Sequence, residues 1–132
     1  MQFGTDGAHF YLRVDFDEGY RHDLNGMEAR LTAESEDGGS ISRVLMLFSQ
    51  DNVSVKEQRL AAQSDGVGKP PLECAFASVL EVRLSLAALG LSRGHGLKFQ
   101  FSLWQGGLPM DAAPHQGWLA MHTTDPAELA AY

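Results

Sequence analysis

The chain has 132 residues, 44% hydrophobic and 20% charged, enough for one domain that buries its own core without staples. Its 17 acidic against 10 basic residues give a formal charge of −7, a field that repels phosphate backbones and anionic bilayers and so argues against nucleic-acid and membrane partners. The single cysteine, Cys74, excludes an internal disulfide framework and fits a reducing, cytoplasmic compartment.

Alternation of apolar and polar residues dominates the chain. Phe3-Gly4-Thr5-Asp6-Gly7 reads as a strand end and a tight turn, because Asp-Gly is a strong hairpin signal. From His9 to Phe16, the side chains of Phe10, Leu12, Val14 and Phe16 share one face; His9, Tyr11, Arg13 and Asp15 share the other. An acidic loop from Asp17 to Gly26 precedes a second alternating run, Met27 to Glu34. Asp37-Gly38-Gly39-Ser40 turns the chain into Ile41 to Phe48, whose continuous apolar end suits a strand covered on both faces or central in a sheet.

The pattern fades between Ser49 and Leu72. Gln50-Asp51-Asn52 and the stretch Ser64 to Pro71 read as loop, and Glu57 to Ala62 as a helical turn or an edge strand. Alternation returns from Val79 to Leu86, and Ala87-Ala88-Leu89-Gly90 predicts a short turn of helix capped by glycine. Leu97 to Trp104 is the clearest strand: Leu97, Phe99, Phe101 and Leu103 face one way, Lys98, Gln100, Ser102 and Trp104 the other. A long loop is expected from Gln105 to Gly117, a last strand from Trp118 to His122, and a helix start at Thr124-Asp125-Pro126. Some eight short strands with polar turns and no long helices predict an all-β fold, an antiparallel β-sandwich filling residues 1–132 as a single domain cut from a longer protein.

No stretch assembles a catalytic set. Cys74 alternates with Phe76 and reads as a small buried hydrophobe rather than a nucleophile. Of the acids only Glu73 and Glu81, on polar strand faces, have apolar flanks, and they read as surface charge that keeps a sheet soluble rather than as a general acid's raised-pKa carboxyl. The five histidines, His9, His22, His95, His115 and His122, lack zinc-ligand spacing. The acids Asp15, Asp17 and Glu18, with Asp23 and Asn25, read as solvated loop charges; a structural calcium is the alternative, and no other cofactor is expected. The chain alone is therefore expected not to be an enzyme.

The aromatics carry more. Trp104 projects beside Lys98 and Gln100, and Tyr11 beside His9 and Arg13; Trp118 and Tyr20 lie in or near loops. An aromatic plane flanked by hydrogen-bonding groups suits a pyranose, whose C–H face stacks while its hydroxyls meet polar side chains. The competing expectation is that Trp104 packs beneath the Gln105–Gly117 loop or against a neighbouring domain.

The run Leu80 to Leu91, followed by Gly96-Leu97-Lys98-Phe99-Gln100-Phe101, resembles family 9 carbohydrate-binding modules and the related DOMON-like sandwiches, as does the early hairpin from Asp6 to Asp15. Phe101 to Met110, continuing from Pro114 to Leu119, looks like the carboxy-terminal extension of bacterial glycoside hydrolase family 57 proteins. The resemblance implies an accessory domain of an α-glucan-acting enzyme, partnered by that enzyme's catalytic domain and by a polysaccharide or oligosaccharide. Family 9 modules grip sugar ends between two tryptophans, which implies a role for Trp104 and Trp118, with Tyr11 beside them and Lys98, Gln100 and Arg13 as hydrogen-bond donors. Haem-binding relatives use methionine and histidine, for which Met27, Met46, Met110 and Met121 give no clear match.

Overall fold

The computed structural model describes residues 1–6, 8–16, 24–49, 52–62, 72–77, 79–91, 96–113 and 118–122. Its strands are β1 (Gln2–Thr5), β2 (His9–Asp15), β3 (Glu28–Ser35), β4 (Ile41–Ser49), β5 (Asn52–Arg59), β6 (Leu72–Phe76), β7 (Val79–Ser85), β8 (Gly96–Gln105), β9 (Leu108–Ala113) and β10 (Leu119–His122). They form two antiparallel sheets, as the alternation predicts. The smaller runs β1-β2-β7-β6; the larger runs β10-β8-β3-β4-β5, with β9 also paired to β8. Because β3 occupies one edge of β8 along Leu97–Trp104, β10 and β9 share the other edge, β10 beside Gly96–Phe99 and β9 beside Phe101–Gln105.

The sheets stack by burying their apolar parity against one another. Phe10, Leu12 and Val14 of β2 and Leu80, Val82 and Leu84 of β7 meet Ala29, Leu31 and Ala33 of β3, Val44, Met46 and Phe48 of β4, and Leu97, Phe99, Phe101 and Leu103 of β8. Small residues sit beside large ones: Ala33 pairs with Phe99 and Ala29 with Leu103, which leaves room for the rings. Phe10 of the smaller sheet packs on Phe99 of the larger at 5.0 Å between centroids. At the other end Phe48 sits between Phe16 at 5.9 Å and Phe76 at 5.0 Å, both edge-on. The buried hydroxyls are satisfied: Ser42 Oγ accepts the Ala61 N–H at 2.9 Å, and Ser35 Oγ donates to Asp37 at 2.6 Å.

Two segments differ from expectation. β5 occupies a stretch where alternation fades, because a bulge opposite Leu45 and Met46 inserts Lys56 and breaks the period-two pattern. β9 lies inside the expected Gln105–Gly117 loop. Gly106 and Gly107 take φ of 58° and 82°, the two positive values that a tight two-residue hairpin requires, so the chain folds straight back on β8. Pro109 is tolerated there because β9 is an edge strand. Leu86–Gly90 forms the single glycine-capped turn expected there: Leu89 N–H donates to Ser85 C=O, Leu91 N–H to Leu86 C=O and Gly90 N–H to Ala87 C=O, with Gly90 at φ 74°. That is the glycine-terminated closure usual at helix ends, here with no helix before it. Ala127–Tyr132 and the expected helix start at Thr124 fall outside the described residues.

Phe99 is fully buried and touches rings from both β1 and β2. Phe99→Ala is expected to lower stability by about 3–5 kcal/mol, read as a reduced urea midpoint with an unchanged slope.

Candidate functional site

Burying one parity of each strand forces the other parity outward. On the larger sheet this turns outward Glu28, Arg30, Thr32 and Glu34 of β3, Arg43, Leu45 and Leu47 of β4, and Lys98, Gln100, Ser102 and Trp104 of β8, all half-buried except the exposed Arg43. The register sets them in rows: Glu28 opposite Trp104, Arg30 opposite Ser102, Thr32 opposite Gln100, and Glu34 opposite Lys98. On the other flank Arg43 lies between Thr32 and Arg59. Leu45 and Leu47 are only half-buried, so the apolar run of β4 reflects a central strand rather than one covered on both faces.

A shallow depression of about 610 Å³ opens on this face, lined by Arg30, Thr32, Arg43, Glu57, Arg59, Gln100, Ser102, Trp104 and Trp118, among others. Trp104 is half-buried, its Nε1–H donates to Ser102 Oγ at 2.8 Å, and the Arg30 guanidinium lies 3.9 Å above its ring. The Arg30 guanidinium thus covers one face of the Trp104 indole, and Pro109 of β9 is the cross-strand neighbour of Trp104. Lys98 Nζ stands 5.6 Å from the Trp118 ring centroid and 3.3 Å from Glu34 Oε1. Glu28 accepts Lys56 Nζ at 2.5 Å and Arg30 Nη2 at 3.4 Å, and the Lys56 contact holds its carboxyl below the ordinary range. Arg30 Nε is buried with no hydrogen-bond partner among the described residues.

Tyr11 and Arg13 are elsewhere. They face outward from the smaller sheet, on the opposite side of the sandwich, in a separate depression of about 550 Å³ with Glu73, Glu81 and Arg83. Strand parity tells which residues point away from the core but not which sheet they leave from. The structure therefore brings together Trp104, Trp118, Lys98 and Gln100, and separates Tyr11 and Arg13 from them. On the smaller sheet Arg83 is held by Glu73 at 2.6 Å, and the Tyr11 hydroxyl donates to Asp6 at 2.7 Å. Beside Trp104 and Trp118 stand Arg30, Arg43 and Arg59, which the sequence pattern does not single out. Parity alone places Arg30 and Arg43 on polar faces; the signal lacking was that β3 and β4 adjoin β8.

Asp15 is exposed at the end of β2; Asp17, Glu18, Asp23, Tyr20, His22, His95 and His115 lie outside the described residues. Among the described residues no three carboxylate, imidazole or thiol groups converge on one point. Cys74 is half-buried against the core, and burial pushes its thiol up, which keeps it protonated and unreactive near neutrality. Met27 and Met46 are core residues, whereas Met110 is exposed. Compared with known protein families, curated proteins and solved structures, the chain matches none.

Asp6 ties the first hairpin. Its Oδ1 accepts the N–H groups of Ala8 at 2.9 Å and His9 at 2.8 Å. Desolvation, the largest single influence, pushes its carboxyl up, but the Tyr11 hydroxyl and the two N–H groups together outweigh it and bring the pKa down to about 2 from 3.8. A carboxyl with a depressed pKa stabilises the fold above its unfolded value and loses that contribution as pH falls through the folded one. The urea midpoint of the wild-type chain is therefore expected to exceed that of Asp6→Asn at pH 6. The gap should narrow below pH 3.8 and close as the pH falls through about 2.

Proposed function

We propose that this chain is a non-catalytic β-sandwich module that holds a saccharide against the outer face of its larger sheet, as an accessory domain of a family 57 type glycoside hydrolase. One observation carries the reading: Trp104 and Trp118 line a single open depression together with hydrogen-bonding side chains from β3, β4, β5 and β8 and the apolar Leu31, Val44 and Leu45. Shallow, wet sites of this kind bind weakly, because little area is desolvated and bridging waters share the polar contacts. The resemblance to family 57 extensions supports the catalytic domain of a longer protein as the neighbouring partner.

A second reading, a domain that only packs against its neighbour, draws on β9. Leu108 and Met110 are 67% and 51% exposed on that edge strand, an apolar strip of the kind interdomain contacts cover.

Titration of the intact chain with a panel of neutral and acidic oligosaccharides, followed by tryptophan fluorescence, separates the two. Saccharide binding is expected to shift the emission with a midpoint near 1 mM, about −4 kcal/mol, and Trp104→Ala to abolish it. A panel that leaves the emission unmoved, together with concentration-dependent self-association that Leu108→Ser relieves, would overturn the saccharide reading in favour of packing.

A further inference from the structure

The larger sheet's outer face carries charge that a neutral sugar does not require. The β4–β5 register sets Arg43 directly opposite Arg59, while Arg30 occupies the adjoining row on β3, diagonal to Arg43. Paired strands lie about 4.8 Å apart, and like charges directly opposite one another destabilise a sheet. Both Arg43 and Arg59 are exposed, and among the described residues neither has a carboxylate within ion-pair distance.

The remaining charges offset them only in part, Glu57 lining the same depression without an ion pair to either. Across β3, β4, β5 and β8 the outward face holds five basic residues (Arg30, Arg43, Lys56, Arg59, Lys98) against three acidic ones (Glu28, Glu34, Glu57), in a chain whose overall charge is −7. Glu28 is taken by Lys56 and Arg30, and Glu34 by Lys98. The Arg30 guanidinium carbon lies over the Trp104 ring, 3.9 Å from its centroid, and Arg30 Nε is buried without a partner among the described residues. A guanidinium stacked on an indole is held in orientation by its face and still presents N–H groups at its edge.

We propose that this face selects a carboxylate-bearing oligosaccharide, a chain of uronate rings, over a neutral glucan; the proposal rests on the saccharide reading above. A carboxylate is planar and accepts two parallel N–H bonds from one arginine fork, a match that sugar hydroxyls do not make. It also relieves the Arg43–Arg59 opposition by placing negative charge between them. The two indoles and the polar side chains of Thr32 and Ser102 supply the apolar and hydroxyl-matching contacts that distinguish a sugar chain from an acidic peptide.

The test is calorimetric titration of the intact chain with oligogalacturonate and with a maltooligosaccharide of equal length, at low and high salt, on wild type and on the double variant Arg43→Gln, Arg59→Gln. The acidic sugar is expected to bind about tenfold more tightly than the neutral one, as one charge-assisted contact provides, and to weaken with salt. The double variant should bring the ratio between the two sugars to about one. Its urea midpoint should not fall, since it removes a like-charge opposition, so a loss of preference cannot be assigned to misfolding. Neutral sugar binding as tightly as acidic sugar overturns this proposal and leaves the saccharide reading standing. Binding of neither sinks both. Polyglutamate binding as tightly as oligogalacturonate, with the same arginine dependence, overturns the sugar in favour of an acidic protein surface.

Discussion

The contact between the inner faces of the two sheets is what everything else depends on. The chain has no disulfide, and its described residues form no helix, so the sheets are held by apolar burial worth about 25 cal/mol per Å² and by their hydrogen-bonded ladders. Phe10 against Phe99, and Phe48 between Phe16 and Phe76, pin the layers at two separate places. A strand has only two faces, so choosing the inner set chooses the outer set as well. Trp104 points outward because Phe101 and Leu103 point inward, and Arg30 does so because Ala29 and Leu31 are buried. A one-residue slip of β8 would reverse that strand's own side chains and put Lys98 and Gln100 into the core.

The two outer faces that result are chemically unlike. On the smaller sheet the groups that meet are matched: Arg83 finds Glu73, and Tyr11 finds Asp6. The larger sheet gathers Arg43 and Arg59 across one rung and leaves them unmatched, while an indole and a guanidinium stack beside them. Solvation makes exposed unpaired arginines inexpensive, which is why a fold can carry them. Their alignment across neighbouring strands turns separate charges into one positive surface patch, and that patch lies beside the two tryptophans of the same depression.

Neighbour relations also explain where the outer-face chemistry is concentrated. β3 lies between β8 and β4, so residues far apart in sequence come within side-chain reach: Glu28 meets Lys56, and Arg30 meets Trp104. The β5 bulge matters in the same way. It inserts Lys56 and returns Glu57 and Arg59 to the outward parity, opposite Leu45 and Arg43.

Fold class, the span of most strands and the parity of each were written in the sequence, because burial on a pleated strand has a period of two that any window of residues displays. β5 and β9 were obscured for local reasons, a bulge that breaks the period and a Gly-Gly hairpin followed by proline, and only their pairing with β4 and β8 reveals them. The candidate site was half legible. Trp104, Lys98 and Gln100 share one strand face and could be grouped from spacing, whereas Tyr11 and Arg13 have the same parity on a strand of the other sheet. Arg30, Arg43 and Arg59 join Trp104 solely through the order of strands in the larger sheet. That order is set by long-range packing of inner faces, and a one-dimensional pattern holds no record of which strand lies next to which.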